Sequence, residues 1–486
     1  MSDSTTIFPK LQDTLADGRL ANVFFRRDQL RQLRDTLLKH KDALLDGIIQ
    51  DSDYAPTEAF VELYLTLSAI KSYHDELKPE EQLDEEYRVA KGRDAPDARE
   101  GVGIALITPQ KHSFVYSVIV PLAAAIAAGN CVAVVFEQTL LTLPSILSNI
   151  LRESLGQDIY ESTQTRPRNV SPNCIQVIQT GDVALQTPKT LLSSPCSLVV
   201  AIVDRTADLE EAAKTLVDAR MQFRGRSPYA PDIILVNEFA KTDFLNAAAR
   251  HSIRYMTEEK GSLAENHEWL NSSDAKLNGS VTTQSGIRTI TSGANSSIVD
   301  IRDRALLPEL GKVTQRSIRV HGVSSLDDAI EIANDLSPET LLAVYSFGDL
   351  QTCNYLLQFT PSSAGFANWI PTELLVGPAA PEGHPLTLST RYPSSLFTAP
   401  RPRFAKSTTA FEHLWRITDG GQTAPVAEID LLEKIEVERR LPVKHVMGYF
   451  EGAVLVGLAT SMTPVVVGLS ALAYRGLQKA VYVLTK

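Results

Sequence analysis

Through residues 20–80, apolar side chains recur every three or four positions. Phe24, Leu30, Leu33, Leu37, Leu38, Leu44, Leu45 and Ile48 keep this spacing, and a second run from Pro56 carries Ala59, Leu63, Leu65, Leu67, Ile70 and Tyr73. Such a period predicts two amphipathic helices, with Asp51-Ser52-Asp53 as the turn and cap between them. Lys78 to Glu100 is dominated by charge and reads as loop. From Gly101 the pattern changes to short, unbroken apolar runs: Val102 to Ile107, Cys131 to Phe136, Ile175 to Ile178, Leu198 to Val203, Ile233 to Val236 and Leu341 to Phe347. Runs of this length predict strands buried on both faces. Ser117 to Ala128 predicts a helix of small residues that stops at Gly129-Asn130. Asp204 to Ala219 and Leu326 to Asn334 predict further helices. Strand, helix and strand at this spacing make the unit of a doubly wound α/β sheet.

The chain ends differently. From Gly452 to Tyr474 it carries no charged residue, and Glu451 and Arg475 bracket the run. A helix of about 20 apolar residues crosses the hydrocarbon core of a bilayer. Pro464, in the middle, predicts a kink of the kind membrane helices tolerate. The reading is a single C-terminal membrane anchor with the body facing the cytosol and a short tail after it. A charged, helix-like segment from Thr423 to Lys444 leads to the run, and the polar start, Met1 to Thr6, has no apolar core of signal-peptide length. The expected divisions are residues 1–203 (N-terminal helices and a nucleotide-binding-like domain), 204–385 (a catalytic-like domain), 386–446 (an arm), 447–475 (the anchor) and 476–486 (the tail).

Composition narrows the function. The chain has 486 residues and a net charge of −11. Without a clustered basic block, nucleic acid is excluded as the main partner. The four cysteines, Cys131, Cys174, Cys196 and Cys353, form no CxxC pair, and the nine histidines include no HExxH pair, so no metal is expected. Each cysteine reads as a small buried apolar side chain.

The most informative segment is Phe223-Arg224-Gly225-Arg226-Ser227-Pro228-Tyr229-Ala230-Pro231-Asp232, followed by the apolar Ile233 to Val236. It resembles the active-site segment of the aldehyde dehydrogenase superfamily, the fatty-aldehyde branch in particular, which reads Gly-Gln-x-Cys-x-Ala-Pro-Asp before a short strand. Gly225, Ala230, Pro231 and Asp232 fall in register, and Pro228 stands where the family has its catalytic cysteine. Pro121 to Asn130 resembles the helix before the family's cofactor lysine. Asp204-Arg205-Thr206-Ala207-Asp208-Leu209 resembles the entry to the catalytic domain. Leu326 to Asn334 leading into Tyr345-Ser346-Phe347, and Ala364-Gly365-Phe366-Ala367-Asn368, resemble later family segments. The resemblance spans residues 20–405. It implies two doubly wound parallel-sheet domains, one a truncated Rossmann-like domain and one catalytic-like, before a C-terminal transmembrane helix. It also implies a homodimer, or a heterodimer with a related dehydrogenase.

The resemblance also says which chemistry should be present. Aldehyde oxidation needs a thiolate nucleophile, donors for the oxyanion, a nicotinamide to accept hydride, and a base. Pro228 offers no nucleophile and lacks the backbone N–H that helps hold the oxyanion in this family. Ser227 and Cys196 are the candidate replacements; Ser227 reads as a loop residue with no base assigned beside it, and Cys196 as core filling at a strand start. The family's Glu-Leu-Gly-Gly-Lys segment, which carries the base, corresponds to Leu192-Ser193-Ser194-Pro195-Cys196-Ser197, without a glutamate. The oxyanion asparagine falls at Lys111 or His112, depending on a one-residue gap, and both read as solvated. The lysine that binds the adenosine ribose falls at Val135. The Gly-Ser-Thr-x-x-Gly turn, whose helix faces the pyrophosphate, is not found: the chain passes from Gly181-Asp182-Val183 to Leu198 in far fewer residues than the family uses. Glu309 is the one candidate for the glutamate on the nicotinamide ribose.

Catalytic groups that act as a unit are not replaced one at a time. The expectation is therefore an aldehyde dehydrogenase-like pseudoenzyme with no cofactor, acting as scaffold, partner subunit or ligand binder. The alternative is an NAD- or NADP-dependent dehydrogenase of long-chain or isoprenoid aldehydes in a biosynthetic pathway. A hydrolase or acyltransferase using Ser227 with His112 has no nucleophile-elbow motif to support it.

Overall fold

The computed structural model describes residues 8–156, 158–167, 170–181, 189–256, 286–293, 296–337, 340–406 and 449–484. Residues 1–407 gather into one compact unit and residues 408–486 into another. The polar start, Asp182-Val183 and the charged segment from Thr423 to Lys444 lie outside the described residues.

Five helices open the first unit: α1 (Pro9–Asp17), α2 (Val23–Lys39), α3 (Lys41–Ser52), α4 (Pro56–Glu76) and α5 (Pro79–Glu86). Most of the apolar stripe that predicted them is buried, from Leu30, Leu33 and Leu37 through Leu44 and Ile48 to Leu63, Ile70 and Tyr73, whereas Phe24 and Leu38 face solvent. The Asn22 side chain caps α2 by accepting from Phe24 N and Phe25 N. Helix α5 corrects the reading of Lys78 to Glu100 as loop. Pro79 opens it and Glu80 and Glu81 occupy its first turn, where acidic side chains complement the helix dipole.

The first sheet follows β1 (Arg99–Gly101). Its elements are β2 (Ile104–Thr108), α6 (Phe114–Ala127), β3 (Cys131–Val135), α7 (Leu143–Ser154), β4 (Tyr160–Thr163), β5 (Cys174–Ile178) and β6 (Thr190–Leu192). The five strands β4-β3-β2-β5-β6 are parallel throughout. Helix α6 begins at Phe114, earlier than the predicted Ser117. The fully buried Glu62 of α4 explains this, since its carboxylate accepts the N–H groups of Val115 at 2.9 Å and Tyr116 at 3.3 Å. Asn130 ends α6: its side chain accepts from Gly103 N and donates to the carbonyls of Ala125 and Phe397.

The second sheet contains β7 (Val199–Val203), α8 (Leu209–Met221), β8 (Ile233–Asn237), α9 (Lys241–Met256), β9 (Ile287–Ser292), β10 (Ser297–Ile301), β11 (Ser317–Val323), α10 (Leu326–Asp335), β12 (Ala343–Phe347), α11 (Leu350–Phe359), β13 (Gly365–Ala367) and α12 (Thr372–Leu375). The strand order is β13-β12-β7-β8-β11-β10-β9. Edge strand β9 runs antiparallel to β10, a departure from an all-parallel sheet. Along β7, Val199, Ala201 and Val203 join one core with Leu216 and Phe244, from α8 and α9. Val200 and Ile202 join another with Ile332 and Leu356, from α10 and α11. Alternate side chains thus feed helical layers on both faces, which makes the sheet doubly wound. The predicted helix from Asp204 starts instead at Leu209, because the Asp208 carboxylate takes the N–H groups of Glu210 and Glu211. β14 (Thr398–Pro400) pairs antiparallel with β1.

In the second unit, α13 (Tyr449–Leu484) is one helix of 36 residues. Its stretch Gly452–Gln478 is long and apolar enough to cross a membrane, by length and composition.

Candidate functional site

The segment singled out in the sequence joins α8 to β8, at the amino ends of the second sheet's strands. Phe223, Arg224 and Gly225 are successively left-handed, with φ of 49°, 56° and 70°. At Gly225 a Cβ would lie 2.4 Å from the Gln315 carbonyl oxygen, so both space and backbone demand glycine. The helices α3 and α4 hold this strained turn. Glu58 accepts from Phe223 N at 2.8 Å, Arg224 Nε donates to Asp53 O at 2.5 Å, and Arg226 donates to Ser52 O at 3.0 Å.

Pro228 is buried. Its carbonyl accepts from Lys312 Nζ at 2.5 Å, and the same ammonium donates to Ser197 O and Asp232 Oδ2, each at 2.9 Å. An ammonium has three donors, and here all three are used. Asp232 Oδ2 also accepts from Val199 N, and Asp232 Oδ1 accepts from Val313 N and from Arg220. Arg220 is fully buried and donates further to the carbonyls of Gly225, Ala230, Pro231 and Val313. Burial pulls the Lys312 pKa below its ordinary value, and Asp232 opposes that. Two buried cations on one carboxylate therefore fix the loop that carries Pro228. In Glu309-Leu310-Gly311-Lys312 the sequence offers Glu309 as the candidate. Glu309 is exposed, and Lys312 is the residue that reaches the loop.

Two expectations about side chains need correcting. Cys196 is exposed rather than core filling, because it sits in the turn ahead of β7, while the other three cysteines are buried. His112 is buried rather than solvated. Its Nε2 donates to Leu375 O at 2.9 Å, since a carbonyl can only accept, which leaves Nδ1 to accept from the Tyr54 hydroxyl at 2.7 Å. Burial pushes its pKa down to about 4, so it is neutral near pH 7. Ser227 is buried as well, its Oγ accepting from Tyr229 N at 3.3 Å. Among the described residues no hydrogen bond joins Ser227 to His112, and both imidazole nitrogens are already engaged. Lys111 does remain exposed.

The carboxyl ends of the first sheet form a second region of interest. The direction of winding reverses between β2 and β5, and in open α/β sheets ligands bind at such a switch point. Gln179, which follows β5, is fully buried there. Its amide accepts from Gln110 N at 3.1 Å and donates to Ser117 O at 2.9 Å. The second bond has a clear cause. Pro121 lies inside α6 and has no N–H to give the Ser117 carbonyl four residues earlier, and Gln179 supplies the missing donor. Beside it, Val135 and Phe136 are buried at the end of β3, and Phe136 packs against Phe114 with ring centroids 6.2 Å apart. Glu62, Tyr54, Lys312, Arg220 and Gln179 drew no functional notice in the sequence, and only the charge of Glu62, Lys312 and Arg220 at apolar spacings marked them out.

The first unit thus holds two α/β halves, with a fixed loop entering the second sheet. No family model matches the chain. The human aldehyde dehydrogenase family 3 member B1 is 24% identical over 399 residues, which cover 74% of this chain and 81% of that relative. The 4,4'-diaponeurosporen-aldehyde dehydrogenase of Staphylococcus aureus is 25% identical over 255 residues, or 47% of this chain and 53% of the relative. Among solved structures, aldehyde dehydrogenase C of Pseudomonas syringae, in complex with NAD+ and octanal, matches with a TM-score of 0.64 at 15% identity, covering 83% of this chain and 88% of that one. The fold is that of the aldehyde dehydrogenases, and this chain is an aldehyde dehydrogenase-like protein.

That fold implies a nicotinamide dinucleotide, and the residues at the switch point do not fit one. Val135 stands where the resemblance puts the ribose lysine, and it and Phe136 are buried apolar side chains with no polar group to offer a ribose. No reaction step is therefore routed through a nicotinamide.

Proposed function

We propose that this chain is a membrane-anchored aldehyde dehydrogenase-like protein that does not run thiol-dependent aldehyde oxidation, and that serves instead as a partner subunit, a scaffold or the holder of an apolar ligand. Pro228 carries this reading. It stands at the nucleophile position of a segment whose surrounding residues keep the family register, and its carbonyl is gripped by Lys312 in a block of buried ion pairs. A side chain with no nucleophile in so fixed a loop supports a retained architecture without the retained reaction. The apolar helix Gly452–Gln478 supports the anchor. The family resemblance supports a homodimer, or a heterodimer with an active relative.

The test is to purify the full-length chain in mild detergent from the membranes in which it is made, and to analyse intact complexes by mass spectrometry. A stoichiometric second copy, a dehydrogenase-fold partner or a co-purifying apolar molecule is the expected result. A bare monomer with no ligand contradicts the proposal.

A second reading is NAD(P)-linked oxidation of long-chain or isoprenoid aldehydes. One observation favours it: Cys196 is exposed, and the carbonyl of its neighbour Ser197 shares the Lys312 ammonium with Pro228. A thiol thus lies on the flank of the old nucleophile position, and the printed name of the Staphylococcus aureus relative is that of an aldehyde dehydrogenase.

A further inference from the structure

We propose, resting on the reading that the chain holds an apolar ligand, that Arg391 receives the head group of that ligand and that the ligand is a long-chain monocarboxylate. A buried cation without a counter-charge, the rings around it and the segment that carries it support this assignment.

Arg391 is buried, with 3% of its surface exposed. Among the described residues it forms no ion pair, and its Nε and Nη1 have no hydrogen-bond partner. Its Nη2 meets only carbonyls, those of Glu373, Leu374 and Val376 at 3.3, 3.2 and 3.1 Å. Arg220 and Lys312, also buried, share the carboxylate of Asp232 instead. An ion taken out of water needs an opposite charge and bonds for its remaining protons. Arg391 lacks both, and a carboxylate from outside the chain supplies both.

Rings surround the cation. Its Cζ stands 4.8 Å from the centre of the Tyr229 ring, a cation–π contact. Tyr229 directly follows Pro228, so the guanidinium adjoins the old nucleophile position. The Tyr116 hydroxyl lies beside it without meeting Nε or Nη1 in a hydrogen bond, and Tyr345 and His112 are within its electrostatic reach. Burial keeps the Tyr116 and Tyr345 hydroxyls protonated, so neither is the missing anion. A cation walled by aromatic faces matches one carboxylate on a hydrocarbon body. A dianionic phosphate head calls for more donors than a single guanidinium leaves.

The segment that carries Arg391 has the build of a lid. Residues 376–393 contain no helix or strand. So long an irregular stretch is uncommon in a compact domain, and lids and binding loops are its usual uses. It is tied near its two ends. Ser193 Oγ donates to Ala379 O at 2.7 Å, Ala380 N donates to the Tyr229 hydroxyl at 2.9 Å, and the Tyr73 hydroxyl donates to Tyr392 O at 2.6 Å. Between these ties, residues 385–389 make no hydrogen bond among the described residues. Nε and Nη1 are shut off from solvent in this closed arrangement. The ligand therefore enters as the segment lifts, and its carboxylate then meets the guanidinium.

The experiment uses the full-length protein in detergent micelles, from a sample that melts cooperatively. It is equilibrated with isotope-labelled palmitate or hexadecanol, whose chains are equally long, and the label retained is measured against empty micelles. The expected result is saturable, stoichiometric palmitate, with hexadecanol bound about tenfold more weakly, the size of one charge-assisted hydrogen bond. Arg391→Met is expected to remove that preference, and Arg391→Lys, which keeps the charge, to retain part of it. The comparison of acid with alcohol on the unaltered chain decides the matter if neither variant folds. Equal binding of acid and alcohol overturns the carboxylate site and leaves the apolar ligand standing. A preference for palmitate that survives in Arg391→Met moves the head group away from Arg391 and overturns the assignment. Displacement of palmitate by inorganic phosphate overturns the monocarboxylate. Binding of neither chain overturns both the site and the apolar-ligand reading.

Discussion

Lys312 holds the loop at Pro228 itself. Its ammonium bonds Pro228, Ser197 and Asp232 together. Removing one partner of a buried ion pair leaves the other uncompensated, so Lys312→Met is expected to lower stability by about 3 kcal/mol, measured by urea denaturation. An unchanged midpoint would mean the clamp is slack. Pro228→Cys restores only one of several absent groups, and it is expected to gain no aldehyde oxidation.

Glu62 and His112 set opposite pH dependences. Both lie against Tyr54, with Glu58 and Arg226 nearby. Burial raises Glu62 to about 7, above its ordinary value of 4.5, so its contribution to stability is full below that value and is lost as pH rises toward 7. Burial lowers His112 from 6.5 to about 4, so its contribution is full above 6.5 and is lost as pH falls toward 4. The two slopes oppose each other over one window. Glu62→Gln is expected to leave a melting midpoint that climbs with pH between about 4 and 6.5, and His112→Asn one that declines from about 4.5 to 7. Parallel profiles for the two variants would refute the assignment. Neither group's role was legible locally. The partners of His112 are Tyr54 and Leu375, far from it in sequence, and a histidine beside Lys111 gives no sign of burial.

At the scale of elements, the apolar runs and the helical stripes were good guides, because strands buried on both faces leave unbroken apolar text. Helix α7 was legible too, since Leu143, Leu147, Ile150 and Leu151 keep helical spacing and are buried, but it carried no prediction. β11 was harder. Arg319 and His321 alternate with Ile318 and Val320 and look like an outer face, yet both are buried, with partners at Gly311 O and Ile301 O. Helix boundaries moved where side chains from elsewhere supplied the cap, as Glu62 does for α6. Asn130 shows how strongly one junction can depend on a single amide. It ties β2, α6 and the chain entering β14 by three buried hydrogen bonds. Asn130→Ala is expected to cost about 2–4 kcal/mol by chemical denaturation, since Gly103 N and two carbonyls lose their partner. A loss within experimental error would show that the junction is held by packing alone.

At the scale of the whole molecule, the sequence announced two doubly wound halves and an apolar C-terminal helix, and the structure contains both. The stitch made by Gln179 was not legible, because it depends on Pro121, which lies in another element and marks no site in the text. If α13 is the anchor, full-length protein should stay in the membrane pellet after alkaline carbonate extraction, and a chain ending at residue 448 should move to the supernatant. Release of the full-length chain would argue for a peripheral attachment.

Turnover tests most directly whether this architecture has given up aldehyde oxidation. Full-length protein in detergent is incubated with medium-chain, long-chain and isoprenoid aldehydes and with NAD+ or NADP+, and reduced nicotinamide is followed by absorbance alongside an active dehydrogenase. No aldehyde-dependent reduction above the rate without protein is expected. Sustained reduction that disappears in Cys196→Ser would contradict it and move the nucleophile from the Pro228 position to the exposed thiol beside it.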